Sequence, residues 1–331
     1  MKLASLPRVH LATLPTPLQR AERLSQLLDG PEIWFKRDDL TGFGLGGNKV
    51  RKLEFLAADA LEQGADTLVT GAGPQSNHVR TTMAVAAHLG MQGVAVFYGS
   101  RPAESQGNFL IDELLGVETI FTESPDRTTV DQRLISEGER LRREGRRPYV
   151  IGRGGASPLG SAGYVAASLE IQAQLLEWNL QPDYLFVATG SCGTHAGLLV
   201  GSRWLQPGYC LCGVTVSRPY TEAVARIEKL ASETAALLEL NLSFSQADIT
   251  LYEDYIGPGY GIPTAKCIEA IKLVAQTEGI FLDPVYSGKA MAGLMDLIRR
   301  GEVKRGETVL FLHTGGGPSL FAYTSALVDS K

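Results

Sequence analysis

The feature that most constrains this chain is an alternation that runs through nearly all of it. Short β-branched and apolar runs, with no polar face of their own, are separated by stretches of helical periodicity. The strand candidates are DTLVTG (66–71), GVAVFYG (93–99), VETIFT (117–122), PYVIG (148–152), DYLFVATG (183–190), LCGVTVS (211–217), ITLYE (249–253) and TVLFLHTGG (308–316). Helical patterns such as TTMAVAAHLG (81–90) and ASLEIQAQLLEW (167–178) lie between them. A strand that is apolar on both faces must be covered on both, and crossover helices between parallel strands supply that cover. The expected fold class is therefore α/β with open, twisted parallel sheets. Ligands of such sheets bind beyond the carboxyl ends of the strands, where loops meet helix N-termini.

At 331 residues, 44% apolar and 20% charged, the chain has room for one large domain or two modest ones. A net charge of −5 argues against a nucleic-acid or membrane surface as the main partner. The basic cluster RLRREGRRP (140–148) ends a polar helical stretch that begins near Val130, and reads as cations at a helix C-terminus. No N-terminal run resembles a signal peptide, and no apolar run approaches the ~18–20 residues of a membrane span. Cys192, Cys210, Cys212 and Cys267 lack metal-ligand spacing; Cys210 and Cys212, two apart in an apolar strand, are expected as core residues on one side. A reduced, cytoplasmic protein is the expectation.

Three glycine-containing loops carry unusual polarity. TGAGPQSNHVR (70–80) nearly reads as a dinucleotide fingerprint, with Gly71, Gly73 and then Ser76 where a third glycine belongs. A serine there hinders close helix–strand packing, and the next strand ends in FYGSR, without an acid for a ribose hydroxyl. A nicotinamide oxidoreductase is thereby disfavoured. Ser76 or Asn77 can cap the following helix, but capping explains only one of them. ATGSCGTHAG (188–197) would present the N–H groups of Gly190, Ser191, Cys192, Gly193 and Thr194 at a helix start. That suits a single phosphate, although a plain turn reads the same way, and the Lys-Ser/Thr ending of a nucleoside-triphosphate loop is missing. Cys192 and His195 could be taken for a nucleophile and its base, yet neighbours three apart at such a junction need not face each other.

The third loop is GFGLGGNKVRKLEF (42–55). With Asn48 as N-cap, Lys49 begins a helix whose apolar stripe is Leu53, Leu56, Ala57, Ala60 and Leu61. Counting back four from Leu53 lands on Lys49, inside the stripe, whereas Lys52 falls on its shoulder and Arg51 on the opposite side. Lys49 is thus expected to point inward, where a desolvated amine becomes a nucleophile toward carbonyls. The pattern also permits a lysine that snorkels or pairs with Asp38 or Asp39. A lysine nucleophile, a one-phosphate cup and no nucleotide fingerprint together suggest pyridoxal phosphate.

With these residues in view, the chain resembles the D-cysteine desulfhydrase / 1-aminocyclopropane-1-carboxylate deaminase family. These are pyridoxal-phosphate enzymes of the tryptophan-synthase-β type of fold. The likeness runs from TPLQ (16–19) to HTGGGPSLFAY (313–323), through GGNKVRKLEFL, QSNHVR, GTHAGL, GYGIP and DPVYSGKAMAG in the family's order and spacing. It implies that Lys49 is the Schiff-base lysine, that Asn77 bonds the ring hydroxyl, and that Gly190–Thr194 hold the phosphate. Thr314 would approach the pyridine nitrogen, Ser76 would sit over the substrate, and Tyr286 and Tyr260 would line the substrate face. From sequence alone both tyrosines read more readily as packing residues.

Two positions separate the family's branches. Deaminases carry Glu after the tyrosine and Leu in the last glycine-rich motif; here Ser287 and Thr314 give the desulfhydrase-like pattern. The implied reaction is β-elimination from D-cysteine to pyruvate, ammonia and sulfide, with Lys49, Tyr286 or Ser76 as candidates for the α-proton base. The deaminase and an L-cysteate sulfo-lyase are alternatives on the same fold, and a non-catalytic amino-acid sensor is a more distant one. The resemblance also implies a homodimer, and two domains: residues 1–49 with 161–331, and a smaller one, 50–160, that closes over the substrate.

Overall fold

The computed structural model describes residues 2–328. Its strands are β1 (Leu18–Arg20), β2 (Glu32–Lys36), β3 (Thr67–Ala72), β4 (Gln92–Phe97), β5 (Glu118–Phe121), β6 (Pro148–Val150), β7 (Tyr184–Thr189), β8 (Cys210–Thr215), β9 (Thr250–Tyr252) and β10 (Thr308–Leu312). The helices are α1 (Glu22–Leu27), α2 (Lys49–Glu62), α3 (Asn77–His88), α4 (Gly107–Leu114), α5 (Thr129–Arg143), α6 (Pro158–Glu177), α7 (Gly193–Leu205), α8 (Tyr220–Leu237), α9 (Ala265–Glu278), α10 (Ser287–Arg299) and α11 (Thr324–Val328). The strands form two sheets, of order β1-β2-β10-β7-β8-β9 and β5-β4-β3-β6. Every pairing is parallel except β1 with β2. The expected α/β class with parallel sheets is what the chain adopts.

Alternation along β7 shows why the runs lack a polar face. Leu185 and Val187 join one core cluster with Leu310 and Leu312, while Phe186 and Ala188 join another with Phe311 and Val214. Both faces of the larger sheet are thus dry, and truncating Phe186 to alanine would cost about 3–5 kcal/mol. In each sheet the chain leaves a strand toward one side and returns on the other. β7 lies between β8 and β10, and β3 between β4 and β6. Crevices open where such neighbours diverge, and the loops after β3 and β7 leave from these points.

Three local expectations change. β1 and β2 were not among the strand candidates, because β1 is short and β2, EIWFK, ends on a lysine. Lys36 is nevertheless fully buried and donates to Thr16 O, Gln174 Oε1 and Glu170. Cys210 is exposed at the start of β8, whereas Cys212 is buried, so only the latter is core. The stripe reading of α2 holds in part: Leu53, Leu56, Ala57 and Ala60 are buried and Leu61 is exposed, but Arg51 and Lys52 are buried as well, and Lys49 is the partly open one. The cause is that α2 packs against both α3 and α6. Arg51 reaches Asp38 with Nε and Nη2, each at 2.8 Å, and Glu170 with Nη1 at 2.9 Å. Asp38 and Asp39 are therefore not partners for Lys49, since Asp39 pairs with Arg37.

Candidate active site

The glycine turn is shaped by close backbone approaches. Gly46 (φ +69°) passes so close to Asp39 that a Cβ would lie 2.1 Å from its carbonyl oxygen. Gly47 (φ +109°) would place one 3.1 Å from Thr314 O. Thr41 Oγ1 accepts from Gly47 N at 2.8 Å, and Asn48 N donates to Thr314 O at 3.0 Å. The Arg80 guanidinium in α3 donates to Gly46 O at 3.0 Å and to Gly44 O. Asn48 precedes α2 in a helical conformation and does not cap it; its Nδ2 instead donates to Thr194 Oγ1 at 3.0 Å.

Lys49 emerges from this clamp into a cleft. Its Nζ lies 3.3 Å from Gly154 O and has no carboxylate partner among the described residues. Burial of the amine lowers its pKa to about 8. Across the cleft, β7 runs into Gly190–Thr194, where Cys192 takes a left-handed conformation (φ +73°) before α7. Among the described residues, no acceptor takes the N–H of Ser191, Cys192, Gly193 or Thr194. Four unspent donors at a helix N-terminus are the requirement for an anion. Lys52 adds to them: a Cβ on Gly193 would sit 2.8 Å from its Nζ. Lys52 is fully buried, and desolvation together with nearby Lys49 holds its pKa well below the ordinary lysine value.

The inner cleft brings together Asn48, Lys49, Asn77, Gly190, Ser191, Cys192, Thr194, Tyr286 and Thr314. An outer part shares Lys49 and Tyr286 and adds Ser76, Tyr98, Arg127 and Tyr260. Gly193 is the expected site residue that lines neither part; its backbone forms the cup from behind, against Ala156 and Lys52. No carboxylate lines either part among the described residues.

Ser76 caps α3, with Oγ accepting from Val79 N at 3.3 Å, so the capping and cleft readings of this serine coexist. Asn77 Oδ1 accepts from Asn108 Nδ2 at 2.8 Å, which leaves the Asn77 Nδ2 hydrogens for a ligand oxygen. The Tyr260 and Tyr286 hydroxyls are 2.5 Å apart, with the rings edge to face, and burial raises both pKa values. Tyr286 is set by Asp283, whose Oδ2 accepts from the backbone N–H groups of Val285 and Tyr286. Ser287 turns away from the cleft: its Oγ donates to Asp283 Oδ1 at 2.6 Å. Of the two branch-specific positions, only Thr314 borders the cleft.

The competing motif readings meet physical obstacles. In the near-fingerprint, a Cβ on Gly73 would lie 2.6 Å from Tyr98 Oη, so this glycine is spent on close approach to a tyrosine. Cys192 Sγ faces Ala223 O and Gly190 O, and burial pushes the thiol up to about 11. His195 Nδ1 instead bonds Thr189 Oγ1 at 3.0 Å, and burial lowers this imidazole to about 4, so no thiolate–imidazole pair forms. Sequence reasoning missed Asn48, Lys52, Tyr98, Asn108 and Arg127 as cleft-shaping residues. Lys52, one helical turn from Lys49, carried the only legible signal.

The arrangement suits a flat ligand with an aldehyde at one end and a single phosphate at the other. Lys49 offers an amine that is partly deprotonated near neutral pH, the Ser191–Thr194 cup takes a phosphate, and Asn77 and Thr314 offer polar groups to a ring edge. Comparisons agree. Residues 9–315 match the family model described as pyridoxal-phosphate dependent enzyme. The chain is 48% identical over 326 residues to a D-cysteine desulfhydrase of Klebsiella pneumoniae (strain 342), covering 97% of each. It is 46% identical over 329 residues to one of Serratia proteamaculans (strain 568), again covering 97% of each. A crystal structure of an ACC deaminase homologue superposes with a TM-score of 0.92 at 40% identity, covering 99% of this chain and 97% of that one. A fungal L-serine ammonia-lyase from Rhizomucor miehei shares the fold at 19% identity, with a TM-score of 0.70 over 98% of this chain and 99% of that one. The chain belongs to the family of pyridoxal-phosphate-dependent enzymes.

Proposed function

We propose that this chain is a carbon–sulfur lyase that eliminates sulfide from D-cysteine, with pyruvate and ammonia as the other products. The observation that carries the chemistry is the desolvated Lys49 amine facing the unspent N–H groups of Ser191–Thr194. The choice of substrate draws its support from the near-full-length identity to D-cysteine desulfhydrases.

In this reading Lys49 holds the cofactor aldehyde, Ser191–Thr194 with Gly190, Asn48 and Lys52 hold the phosphate, Asn77 takes the ring hydroxyl, and Thr314 faces the ring nitrogen. When bound, the cofactor supplies the electron sink that makes an α-proton acidic and expels a β-substituent. The chain's residues do the rest. Ser76 anchors the substrate carboxylate at the start of α3, where the N–H groups of Asn77 and His78 meet no protein acceptor among the described residues. Lys49, freed at Nζ, takes the α-proton because burial lowers its pKa to about 8 and leaves part of the amine uncharged near neutrality. The hydroxyl pair Tyr260–Tyr286 can pass a proton to the departing thiolate, or serve as base on the opposite face. Water and D-cysteine then balance pyruvate, ammonia and hydrogen sulfide.

The deaminase alternative is disfavoured by Ser287, which is bonded to Asp283, and by a cleft that no carboxylate lines among the described residues. A neutral Thr314 hydroxyl gives a milder electron sink, sufficient for a thiolate leaving group. Closure of a smaller unit (50–160) over a larger one (1–49 with 161–331) is supported by the second sheet, whose strands all fall within residues 67–150. Four free cysteines support a reducing, cytoplasmic setting. A homodimer follows from the family resemblance, and light scattering reads it directly. The test of function is a substrate panel on purified holoenzyme. Sulfide and pyruvate from D-cysteine support the reading; 2-oxobutanoate from the cyclopropane substrate, with no sulfide from D-cysteine, contradicts it.

A further inference from the structure

Three arginines border the outer cleft: Arg127, Arg153 and Arg218. Two are already neutralised. Arg153 forms a two-pronged pair with Asp131, Nε to Oδ1 at 2.7 Å and Nη2 to Oδ2 at 2.5 Å. Arg218 pairs with Glu222, and its Nε donates to Gly190 O at 3.3 Å. Arg127 differs. It has no ion pair with any carboxylate among the described residues. The adjacent acid, Asp126, accepts from Thr128 N and Oγ1 at 2.9 and 2.6 Å and interacts with Arg127 only through space, without a direct ion pair.

Arg127 also has a fixed place. It lies on the turn between β5 and α5, held by the Asp126–Thr128 bonds and by Thr129 Oγ1 donating to Asp126 O at 2.6 Å. From there it reaches across the cleft mouth, with Cζ 4.9 Å from the Tyr260 ring centroid and Nη2 3.5 Å from Ser217 O. Its planar fork retains donors, and a partly buried guanidinium over an aromatic face is pre-organised for an anion. Tyr260 in turn bonds Tyr286, so the guanidinium lies over the tyrosine wall of the outer cleft, whose lining also includes Ser76.

We infer that Arg127 is a specificity-determining residue that faces the substrate's β-substituent and favours amino acids carrying an anionic group there, a thiolate or a sulfonate, over those with a neutral one. The inference rests on the lyase reading above, and deepens it by naming the charge class of the substrate's far end. A bound thiol next to this guanidinium is biased toward its thiolate, the form in which it departs.

The test compares holoenzymes of wild type, Arg127→Gln and Arg127→Lys. The first readout is the ratio of kcat/KM for D-cysteine to that for β-chloro-D-alanine, whose β-group is neutral when bound. Loss of a charge-assisted hydrogen bond is worth about 10- to 100-fold, so Arg127→Gln should lower this ratio at least tenfold and Arg127→Lys should restore part of it. The second readout is calorimetric and needs no turnover. Wild type should bind 3-sulfopropanoate more tightly than butanoate, and Arg127→Gln should lose that preference. A parallel fall for both substrates, or an unchanged preference between the two ligands, overturns the inference. If wild type gives no sulfide from D-cysteine, the lyase reading fails, while the calorimetric comparison still judges Arg127 by itself.

Discussion

The Asn48 side-chain amide donates to the Thr194 hydroxyl at 3.0 Å, across 146 residues of sequence. One partner immediately precedes Lys49 and the other closes the N–H cup of β7–α7, so this bond ties the amine to the anion site. Asn48→Ala removes it without emptying the core. A lost hydrogen bond of about 0.5–1.5 kcal/mol should weaken pyridoxal-phosphate affinity roughly 3- to 10-fold, measured by absorbance titration of the cofactor-free protein. Melting of that cofactor-free protein, which also loses the bond, should fall by no more than a few degrees.

Lys52 gives a prediction of opposite signs in the two states. It is a buried amine with no acidic partner among the described residues, against Gly193, so its charge destabilises the empty protein and favours a bound anion. Lys52→Met should raise the melting temperature of the cofactor-free protein while lowering phosphate-ester affinity. The folded pKa lies below the unfolded value of 10.5, so the penalty is fully present below the folded pKa and fades as pH rises toward 10.5. The stability gap between variant and wild type should therefore narrow from neutral to alkaline pH in denaturant titrations.

Uptake of cofactor should report the Lys49 amine. Only the uncharged amine attacks an aldehyde, and the pKa is lowered to about 8 by burial. The association rate, followed by stopped-flow absorbance, should rise with pH through a midpoint at about 8. A midpoint at the ordinary lysine value would show that the amine is solvated.

The buried cluster under α2 predicts a large stability effect far from the chemistry. Asp38 accepts from Arg51 twice, and from Tyr164 Oη at 2.5 Å, with no exposure to solvent. Arg51→Met strands Asp38 and should cost about 3–5 kcal/mol in urea unfolding. The Arg51 guanidinium holds the Asp38 carboxyl below its ordinary value of 3.8. The stability it brings is present above that pH and is lost as pH falls through the lower, folded value.

Tyr286→Phe leaves the Tyr260 hydroxyl without its 2.5 Å partner and removes one site that can carry a proton. Turnover of D-cysteine should fall by about 10²–10⁴, with cofactor affinity within a few-fold of wild type. Equal losses in both would mean that the tyrosine only shapes the cofactor pocket.

What could be read from the sequence divides along physical lines. Apolar runs that need cover on two faces reveal themselves, so β3 through β10 were legible, as were the two loops that leave the switch points. Lys49 was also legible, but for a reason that the structure replaces. Its helix is not amphipathic, because Arg51, Lys52 and Glu54 are all buried. Their partners, Asp38, Glu170, Gly193 and Arg8, come from distant segments that no helical period can announce. Tyr98 and Arg127 escaped notice for the same reason, since a cleft assembled from two sheets has no local signature.

The most direct measurement is borohydride reduction of the holoenzyme, followed by peptide mass spectrometry. The account predicts a stable pyridoxyl adduct on Lys49, with loss of the visible band and of D-cysteine turnover. An adduct on Lys52 instead, or none on the peptide that carries both lysines, would contradict it.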